Sequence, residues 1–415
     1  MKPNHSAARV VWTLTLCTAL SLLGDSTLYA VLPSNFTAVG ISALQVGWML
    51  SINRLVRLPL NLVSGWLVQR LGARAPYMAG LILGVFSTLG YGMLRGFWPL
   101  LAMRALWGVA WALLAVSAYG QVLDVGDETT RGRLVGIYVT LSYFGGALGA
   151  MLGGFLVDLL DLQRAMLILG GLSALAWLAA LSLLQRHPAR PPADREPTED
   201  VRLRVRIRIW TAILRRLDAR LWLILLLNFG HHFFFAGVFY ATFGLYLRNV
   251  LGEPVQWGAL AIGVASLTAA LLLVRNVVTV LVGPLLGYLS DLLGDRTRVL
   301  ILGELCGVGA LACLAIGDSP WLVVLGVLLA AITYGVVPPM LLSWIGDLTR
   351  SGERGAIVGG YQTLGDLGSG LGPLAAYALI AVWSLPAVYA VSALLLAITV
   401  PVILRIRSGS EKGMG

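Results

Sequence analysis

Residues Gly65–Arg74 read GWLVQRLGAR, and residues Gly287–Arg296 read GYLSDLLGDR. Five of these ten positions are identical at a shift of 222 residues, including two glycines and the closing arginine. A shift of 223 residues also places Asp124 on Asp347. Because the matches include charged residues of loops, chance similarity between apolar helices does not explain them well. The chain therefore contains two related halves in tandem.

The composition around this repeat is that of a membrane protein. Of the 415 residues, 58% are hydrophobic and only 12% are charged, whereas soluble proteins carry about 25% charged residues. These values exclude a soluble enzyme and a disordered chain. The three cysteines lie inside apolar runs, so a disulfide scaffold is not expected. The apolar runs are continuous, whereas the strands of an outer-membrane barrel alternate polar and apolar residues.

Twelve apolar runs are long enough to cross a bilayer as helices of about 20 residues. They cover roughly 10–32, 45–68, 75–94, 98–123, 134–157, 163–184, 221–246, 259–286, 299–317, 321–346, 357–379 and 384–404. The sequence predicts an all-α membrane protein with 12 transmembrane helices in two pseudo-symmetric six-helix bundles. The bundles are expected at 1–184 and 221–415. A polar, arginine-rich and proline-rich segment at 185–220 is expected as a cytoplasmic linker.

The distribution of lysine and arginine indicates the orientation. With the N-terminus in the cytoplasm, 23 of the 30 Lys and Arg residues lie on the cytoplasmic side, three lie outside and four lie within spans. Cytoplasmic loops carry the excess of positive charge. We therefore expect a multi-pass protein of the plasma (inner) membrane with both termini in the cytoplasm. This arrangement explains the net charge of +10 without a nucleic-acid partner.

Short motifs recur at corresponding places along the chain. The repeated loop has the pattern Gly-x-x-x-Asp-x-x-Gly, with Gln69 replacing the acid in the first copy and Asp291 present in the second. Further motifs lie in predicted helices 4, 5 and 11, and they are Arg104-x-x-x-Gly108, Gly149-x-x-x-Gly153-Gly154 and Gly372-Pro373. Together these features resemble the major facilitator superfamily over essentially the whole chain. The helix 5 motif resembles that of its drug/proton antiporters, with Ala150 in the position of a proline.

The resemblance implies that helices 1, 4, 7 and 10 line a substrate cavity, with helices 2, 5, 8 and 11 beside it. The cavity residues expected on this basis are Arg54, Arg57, Arg275, Asn276, Asn228, His231 and Tyr240. The resemblance also implies cytoplasmic ion pairs that hold an outward-facing state, formed among Arg70, Arg74, Asp124, Asp291, Arg296, Arg298 and Asp347. Small residues let helices approach closely and slide, and those expected to do so are Gly149, Gly153, Gly154, Gly372 and Pro373.

Charged side chains inside membrane spans are costly and usually functional. At about 1.5 Å per residue, Asp25 and Arg104 lie at similar depths, roughly 10 Å below the outer ends of their helices. Asp25 is therefore expected near a cation, where protonation of the acid would release the arginine and couple proton movement to transport. A purely structural ion pair is the alternative. Asp366 is the second candidate for coupling, and Glu304 is expected to reach the cytoplasmic surface in a structural role.

The paired halves are typical of transporters that bind substrate between them. The leading interpretation is a secondary active transporter that exports a small molecule in exchange for protons. Uptake of an anionic metabolite and a receptor or sensor with a transporter fold are the alternatives. No phosphate-binding loop or nucleophile with a base is recognisable, so neither an enzyme, a metal site nor a cofactor is expected. The expected partners are the lipid bilayer, the substrate and protons, and the chain is expected to be a monomer.

Overall fold

The computed structural model describes residues 5–125, 130–184, 218–257, 260–293, 296–317, 319–349 and 351–404. Within these residues the chain forms twelve helices, which confirms the predicted fold class. They are α1 (His5–Asn35), α2 (Ala43–Leu71), α3 (Arg74–Met93), α4 (Phe97–Val125), α5 (Arg131–Leu159), α6 (Leu162–Leu183), α7 (Ala219–Leu251), α8 (Val264–Leu293), α9 (Arg296–Ile316), α10 (Pro320–Leu348), α11 (Ser351–Ile380) and α12 (Leu385–Ala397, continuing to Leu404). Most of the predicted linker, 185–217, lies outside the described residues.

Nine helices of the described ranges are long and apolar enough to cross a membrane by length and composition alone. The helices α2, α3 and α11 do not meet the same measure. In α2 the reason is chemical, because Arg54, Arg57 and Arg70 interrupt its apolar residues. A helix that carries such charges depends on neighbouring helices to shield them from lipid.

Helix α7 has a discontinuity that the sequence does not predict. Regular α-helix at Ala219–His231 passes into a π-helical segment at His232–Phe239 and returns to α-helix at Tyr240–Leu251. Such widened turns frequently lie at functional sites. The interruption follows the stretch of the helix that carries the candidate cavity residues Asn228 and His231.

The predicted start of the eighth span, at 259, is too early. Residues Leu260–Ile262 instead form a strand that pairs antiparallel with Val255–Trp257, and α8 begins at Val264. Valine, tryptophan and isoleucine favour strands when their side chains pack on a pleated surface. The first apolar residues of the predicted eighth span therefore belong to the hairpin, and Gly263 separates the hairpin from α8.

By contacts, the chain divides into two compact units. The first comprises Met1–Arg190, Tyr240–Leu273 and Pro373–Ala381. In it α1 packs on α5, α6 and the last part of α7, while α4 packs on α2 and α3. Its buried apolar residues include Leu14, Leu81 and Leu114.

The second unit comprises Pro191–Phe239, Val274–Gly372 and Val382–Gly415. Helix α9 packs on α10 and α12, and the first part of α7 packs on α10. Its buried apolar cluster includes Ile224, Leu300, Val337 and Leu341. The division into bundles at 1–184 and 221–415 rests on the sequence repeat and stays a prediction.

Candidate functional site

The structure brings Asp25 of α1 together with Arg104 of α4. The Nη1 atom of Arg104 donates to Oδ1 of Asp25, and the two groups form an ion pair. The arginine side chain is fully buried, whereas the aspartate side chain keeps 15% of its surface exposed. The pair therefore combines a fully buried cation with an acid that stays partly exposed.

Two further contacts hold Arg104 in position. Its Nε donates to the carbonyl oxygen of Met49 in α2 at 3.0 Å. Its guanidinium carbon lies 4.9 Å from the centre of the Tyr29 ring, within the range of a cation–π interaction. Arg104 thus connects α1, α2 and α4, and the Met49 carbonyl and the Tyr29 ring contact it in addition to Asp25.

A shell of polar groups surrounds this ion pair. The amide of Asn53 donates to Asp25 Oδ1 at 3.4 Å, and the Tyr29 hydroxyl donates to the Leu50 carbonyl at 3.1 Å. The predicted cavity residue Arg54 donates from Nε to the Tyr29 hydroxyl at 3.4 Å. Asn53 is not among the residues predicted from the sequence, although an amide next to Arg54 within a membrane span is a usable signal.

Two other predicted cavity residues also lie in the first unit. The ring of Tyr240 in α7 lies 5.3 Å from that of Tyr29. The guanidinium of Arg57 lies 5.7 Å from the Trp111 ring. Tyr29 therefore contacts Tyr240 on one side while it shields Arg104 on another.

In the second unit, predicted cavity residues of α7 and α8 meet at an aromatic side chain of α10. Arg275 stacks on Tyr334, with its guanidinium carbon 4.3 Å from the ring centre. His231 packs edge-on against the same ring at 5.0 Å. Asn276 accepts a hydrogen bond from Arg275 Nη2 at 2.6 Å. Tyr334 contacts two predicted cavity residues but is not itself among the residues predicted from the sequence.

Two buried side chains of α7, one in this cluster and one a turn before it, each have a polar atom without a hydrogen-bond partner among the described residues. Asn228 is fully buried and donates to the Tyr361 carbonyl at 2.6 Å. Its Oδ1 atom and the Nε2 atom of the buried His231 have no hydrogen-bond partner among the described residues. Buried polar atoms are usually satisfied, so these two atoms are exceptions. Asp366 lies in α11, directly after Gly365. A Cβ atom added at Gly365 would lie 3.0 Å from the amide nitrogen of Asn228.

The predicted cytoplasmic ion pairs are only partly assembled. Arg296 Nη1 lies 3.1 Å from Asp347 Oδ2. Arg70 instead stacks on Trp66, and Arg74 donates to the carbonyl oxygens of Leu184 and Leu181 at the end of α6. Within the described part of the chain, neither pairs with Asp124. Two further members lie in helices, Arg298 in α9 and Asp291 in α8, and the side chain of Asp291 is outside the described residues.

The glycine motif of α5 contacts two different helices. Gly149 and Gly153 lie against Leu23 and Thr27 of α1, and Thr27 Oγ1 donates to the Gly149 carbonyl at 3.3 Å. Gly154 faces α8, where a Cβ atom would lie 2.6 Å from the Ala265 carbonyl oxygen.

The corresponding glycine of α11 makes a similar close approach. Gly372 lies against Gly237 of α7 in the second unit, where the two backbones meet directly. Pro373 lies inside α11, and its carbonyl oxygen would lie 3.0 Å from a Cβ atom at Gly47 of α2. The absence of side chains at these crossings permits backbone contact between helices.

The expected surface position of Glu304 is wrong. Its side chain is 1% exposed, and one carboxylate oxygen accepts from Thr399 Oγ1 at 3.4 Å. Gly303 and Gly307 let α9 pack closely on α10 and α12, and this packing encloses the acid. Across the described residues, no group of His, Cys, Asp and Glu side chains is arranged to hold a metal ion.

Comparisons with known proteins identify the family of this chain. A family model described as Major Facilitator Superfamily matches residues 14–279 and 271–413. An uncharacterized MFS-type transporter, YcaD of Escherichia fergusonii, is 35% identical over 109 residues, which are 26% of this chain and 28% of that protein. YcaD of Salmonella newport is 29% identical over 163 residues, which are 38% of this chain and 42% of that protein. The chain thus spans less than half the length of these curated relatives.

Solved structures share the fold at low sequence identity. The nucleoside transporter NupG superposes with a TM-score of 0.76 at 12% identity, over 95% of this chain and 98% of that one. A bacterial homolog of the human lysosomal transporter Spinster gives 0.72 at 16% identity, over 97% and 96%. The human organic anion transporter MFSD10 gives 0.63 at 20% identity, over 97% and 100%.

Proposed function

This chain belongs to the Major Facilitator Superfamily, and on that premise we propose that it exports a small molecule across the plasma membrane in exchange for protons, by alternating access. Its N- and C-termini lie in the cytoplasm in this proposal, as the distribution of positive charge favours. The observation that supports proton coupling is the ion pair between a partly exposed Asp25 and a fully buried Arg104.

Protonation of Asp25 changes the contacts among three helices at once. The neutral acid no longer balances Arg104, which keeps its hydrogen bond to Met49 and its stacking on Tyr29. A conformation that brings another acceptor to the arginine then becomes more favourable. A ligand shifts a conformational equilibrium by its difference in affinity for the two states, and the proton is such a ligand here. Asp366 is the second coupling candidate.

Substrate recognition is proposed for the cluster around Tyr334 in the second unit. In the first unit, Arg54, Arg57 and Tyr240 stay predicted cavity residues. Asn228 and His231 offer polar atoms, and Arg275 offers charge and an extended planar surface. Such a mixture suits an aromatic or heterocyclic molecule with polar substituents, because it combines stacking with directed hydrogen bonds.

The cytoplasmic gate is proposed to include the pair of Arg296 and Asp347. The two side chains are 36% and 53% exposed, so the pair alone contributes at most about 1 kcal/mol. Its proposed role is to favour the outward-facing state as one member of a set, rather than to stabilise the fold.

Uptake of an anion is the second candidate function. The stacking of Arg275 on Tyr334 favours it, since a guanidinium held flat against a ring presents its edge to a carboxylate or phosphate. The two functions differ in the direction of the linked fluxes. In exchange, substrate and proton move in opposite directions, whereas in anion uptake with protons they move together.

The test begins with thermal stabilisation of the purified protein across cationic drugs, nucleosides, sugars and organic anions. The strongest stabiliser is then used as substrate in proteoliposomes that contain a pH-sensitive dye. Substrate should drive proton movement in the wild type, and Asp25→Asn should abolish it while stabilisation by the same compound persists. Glu304→Gln is the matched control, because it neutralises another acid inside a predicted membrane span, and should keep the flux. Full proton-linked flux in Asp25→Asn would refute Asp25 as the coupling site and leave Asp366.

A further inference from the structure

The first turn of α8 differs from the first turn of its counterpart α2. Helix α2 caps itself, since the Ser42 side chain accepts from the Gln45 backbone and the Gln45 side chain accepts from the Ser42 backbone. The shift of 222 places Ser42 on Val264 at the start of α8. Neither Val264 nor the preceding Gly263 has a side chain able to accept from the first amides. Exposed amides at a helix start need partners.

The cap of α8 comes from α5. The backbone N–H of Ser266 donates to Oδ2 of Asp158 at 2.7 Å. Asp158 lies in the last turn of α5, 108 residues away in sequence. Its carboxylate lies directly against Gly263, in space that a Cβ atom would occupy. Glycine at 263 therefore admits the acid that caps the helix.

The close crossing of α5 and α8 fixes this arrangement. Gly154 lies one turn before Asp158, and a Cβ there would lie 2.6 Å from the Ala265 carbonyl and 2.9 Å from the Ala269 Cβ. Because the backbones touch at Gly154, the next turn of α5 brings Asp158 over the start of α8. A carboxylate at this point also interacts favourably with the helix dipole.

We propose that Asp158 is a positioning residue for transport: it caps α8 from the other half of the chain and thereby stabilises the state in which the outer ends of α5 and α8 are together. The inference rests on the proposed alternating access. When the two helix ends separate, the first amides of α8 lose their side-chain acceptor, while α2 keeps its own. The contact therefore contributes to one state and not to the other.

Asp161 supplies a matched control. It is also an aspartate near the end of α5, and it also caps a helix, accepting from the Arg164 backbone at 2.7 Å. That helix is α6, which follows it directly in sequence. The Asp161 cap is local, so it is present in every state and should leave the equilibrium between states unchanged.

The experiment measures the conformational equilibrium by distances between two spin labels in lipid nanodiscs. The labels are placed on cysteines at the exposed positions Leu160 and Gln256, in a variant whose three native cysteines are replaced by serine. Asp158→Ala should lower the ratio of short to long distances about fivefold, the typical effect of losing a side-chain cap. Asp158→Asn, which still accepts a hydrogen bond, should recover most of the ratio. Asp161→Ala should stay within twofold of the wild type.

A double-mutant cycle tests the geometry itself. Gly263→Ala should lower the ratio in the wild-type background, because its Cβ displaces the carboxylate. In the Asp158→Ala background the same substitution should have little effect, since the carboxylate is gone. An unchanged ratio in folded Asp158→Ala, an equal shift in Asp161→Ala, or additive effects in the cycle would each overturn the proposal. The distances require no substrate or proton gradient, so they are independent of whether proton-linked flux is found.

Discussion

Replacing Asp25 by asparagine should lower the free energy of unfolding by about 3 kcal/mol. The substitution keeps the shape of the side chain and removes its charge. Arg104 is then a fully buried cation without its counter-ion. Removing one partner of a buried ion pair costs about 3–5 kcal/mol. The lower end applies, because Arg104 keeps the Met49 carbonyl and the Tyr29 ring.

The effect should depend on the presence of the arginine. Arg104→Gln should cost less than Asp25→Asn, since the acid that remains is partly exposed and keeps the Asn53 amide. The double variant holds no unbalanced charge. Its loss of stability should therefore fall short of the sum of the single losses by about 2 kcal/mol, within the range of coupling energies for contacting residues.

Equilibrium denaturation in mixed micelles measures these free energies for all four proteins. Asp161→Asn is the control, because its pair with Arg164 is exposed on both sides and should change stability by less than about 1 kcal/mol. Additive losses in the cycle, or a loss in Asp25→Asn no larger than in the control, would contradict the reasoning. Because a proton neutralises Asp25 as asparagine does, the measured coupling also bounds how strongly protonation can act on Arg104.

Two further predictions concern helix packing and sidedness. Gly154→Ala should lower the ratio of closed to open distances at the outer ends of α5 and α8 by a factor of about 5 or more, since overpacking costs about 1–3 kcal/mol. A Cβ atom at this position would lie 2.6 Å from the Ala265 carbonyl oxygen and has to move away. Gly136→Ala in the same helix, where a Cβ meets nothing within 4 Å, should leave the spin-label distances unchanged, and equal shifts in both would refute the packing argument. Thr37→Cys should react with a membrane-impermeant reagent added outside intact cells and Ser410→Cys should not, so labelling at Ser410 would refute the proposed topology.

The parts of the fold that the sequence predicts are those set by bulk hydrophobicity. Long apolar runs and a repeat of loop residues suffice for the number and order of the helices. They do not reveal the π-helical segment at His232–Phe239, because a run of aromatic residues gives no periodic signal there. The hairpin before α8 is equally hidden, since short apolar runs fit a strand and a helix alike.

In the candidate site, too, the sequence predicts some contacts and not others. Similar depth in the membrane predicts that Asp25 and Arg104 lie near each other, because depth follows from counting residues along a helix. Depth along the helix axis does not predict on which face of the helix a side chain lies. The enclosure of Glu304 and the capping of α8 by Asp158 depend on close helix crossings at glycines, which the chain sets only after it packs.

These contacts connect the acid of α1 to the start of α8. Asp25 lies between Leu23 and Thr27, the residues of α1 that pack on Gly149 and Gly153 of α5. The next residue, Gly154, contacts α8, and the following turn carries the cap. A shift of α1 caused by protonation of Asp25 would therefore act on the helix whose other face holds α8. Packed elements with two arrangements can carry coupling between distant sites, and in this chain α5 packs on both α1 and the start of α8.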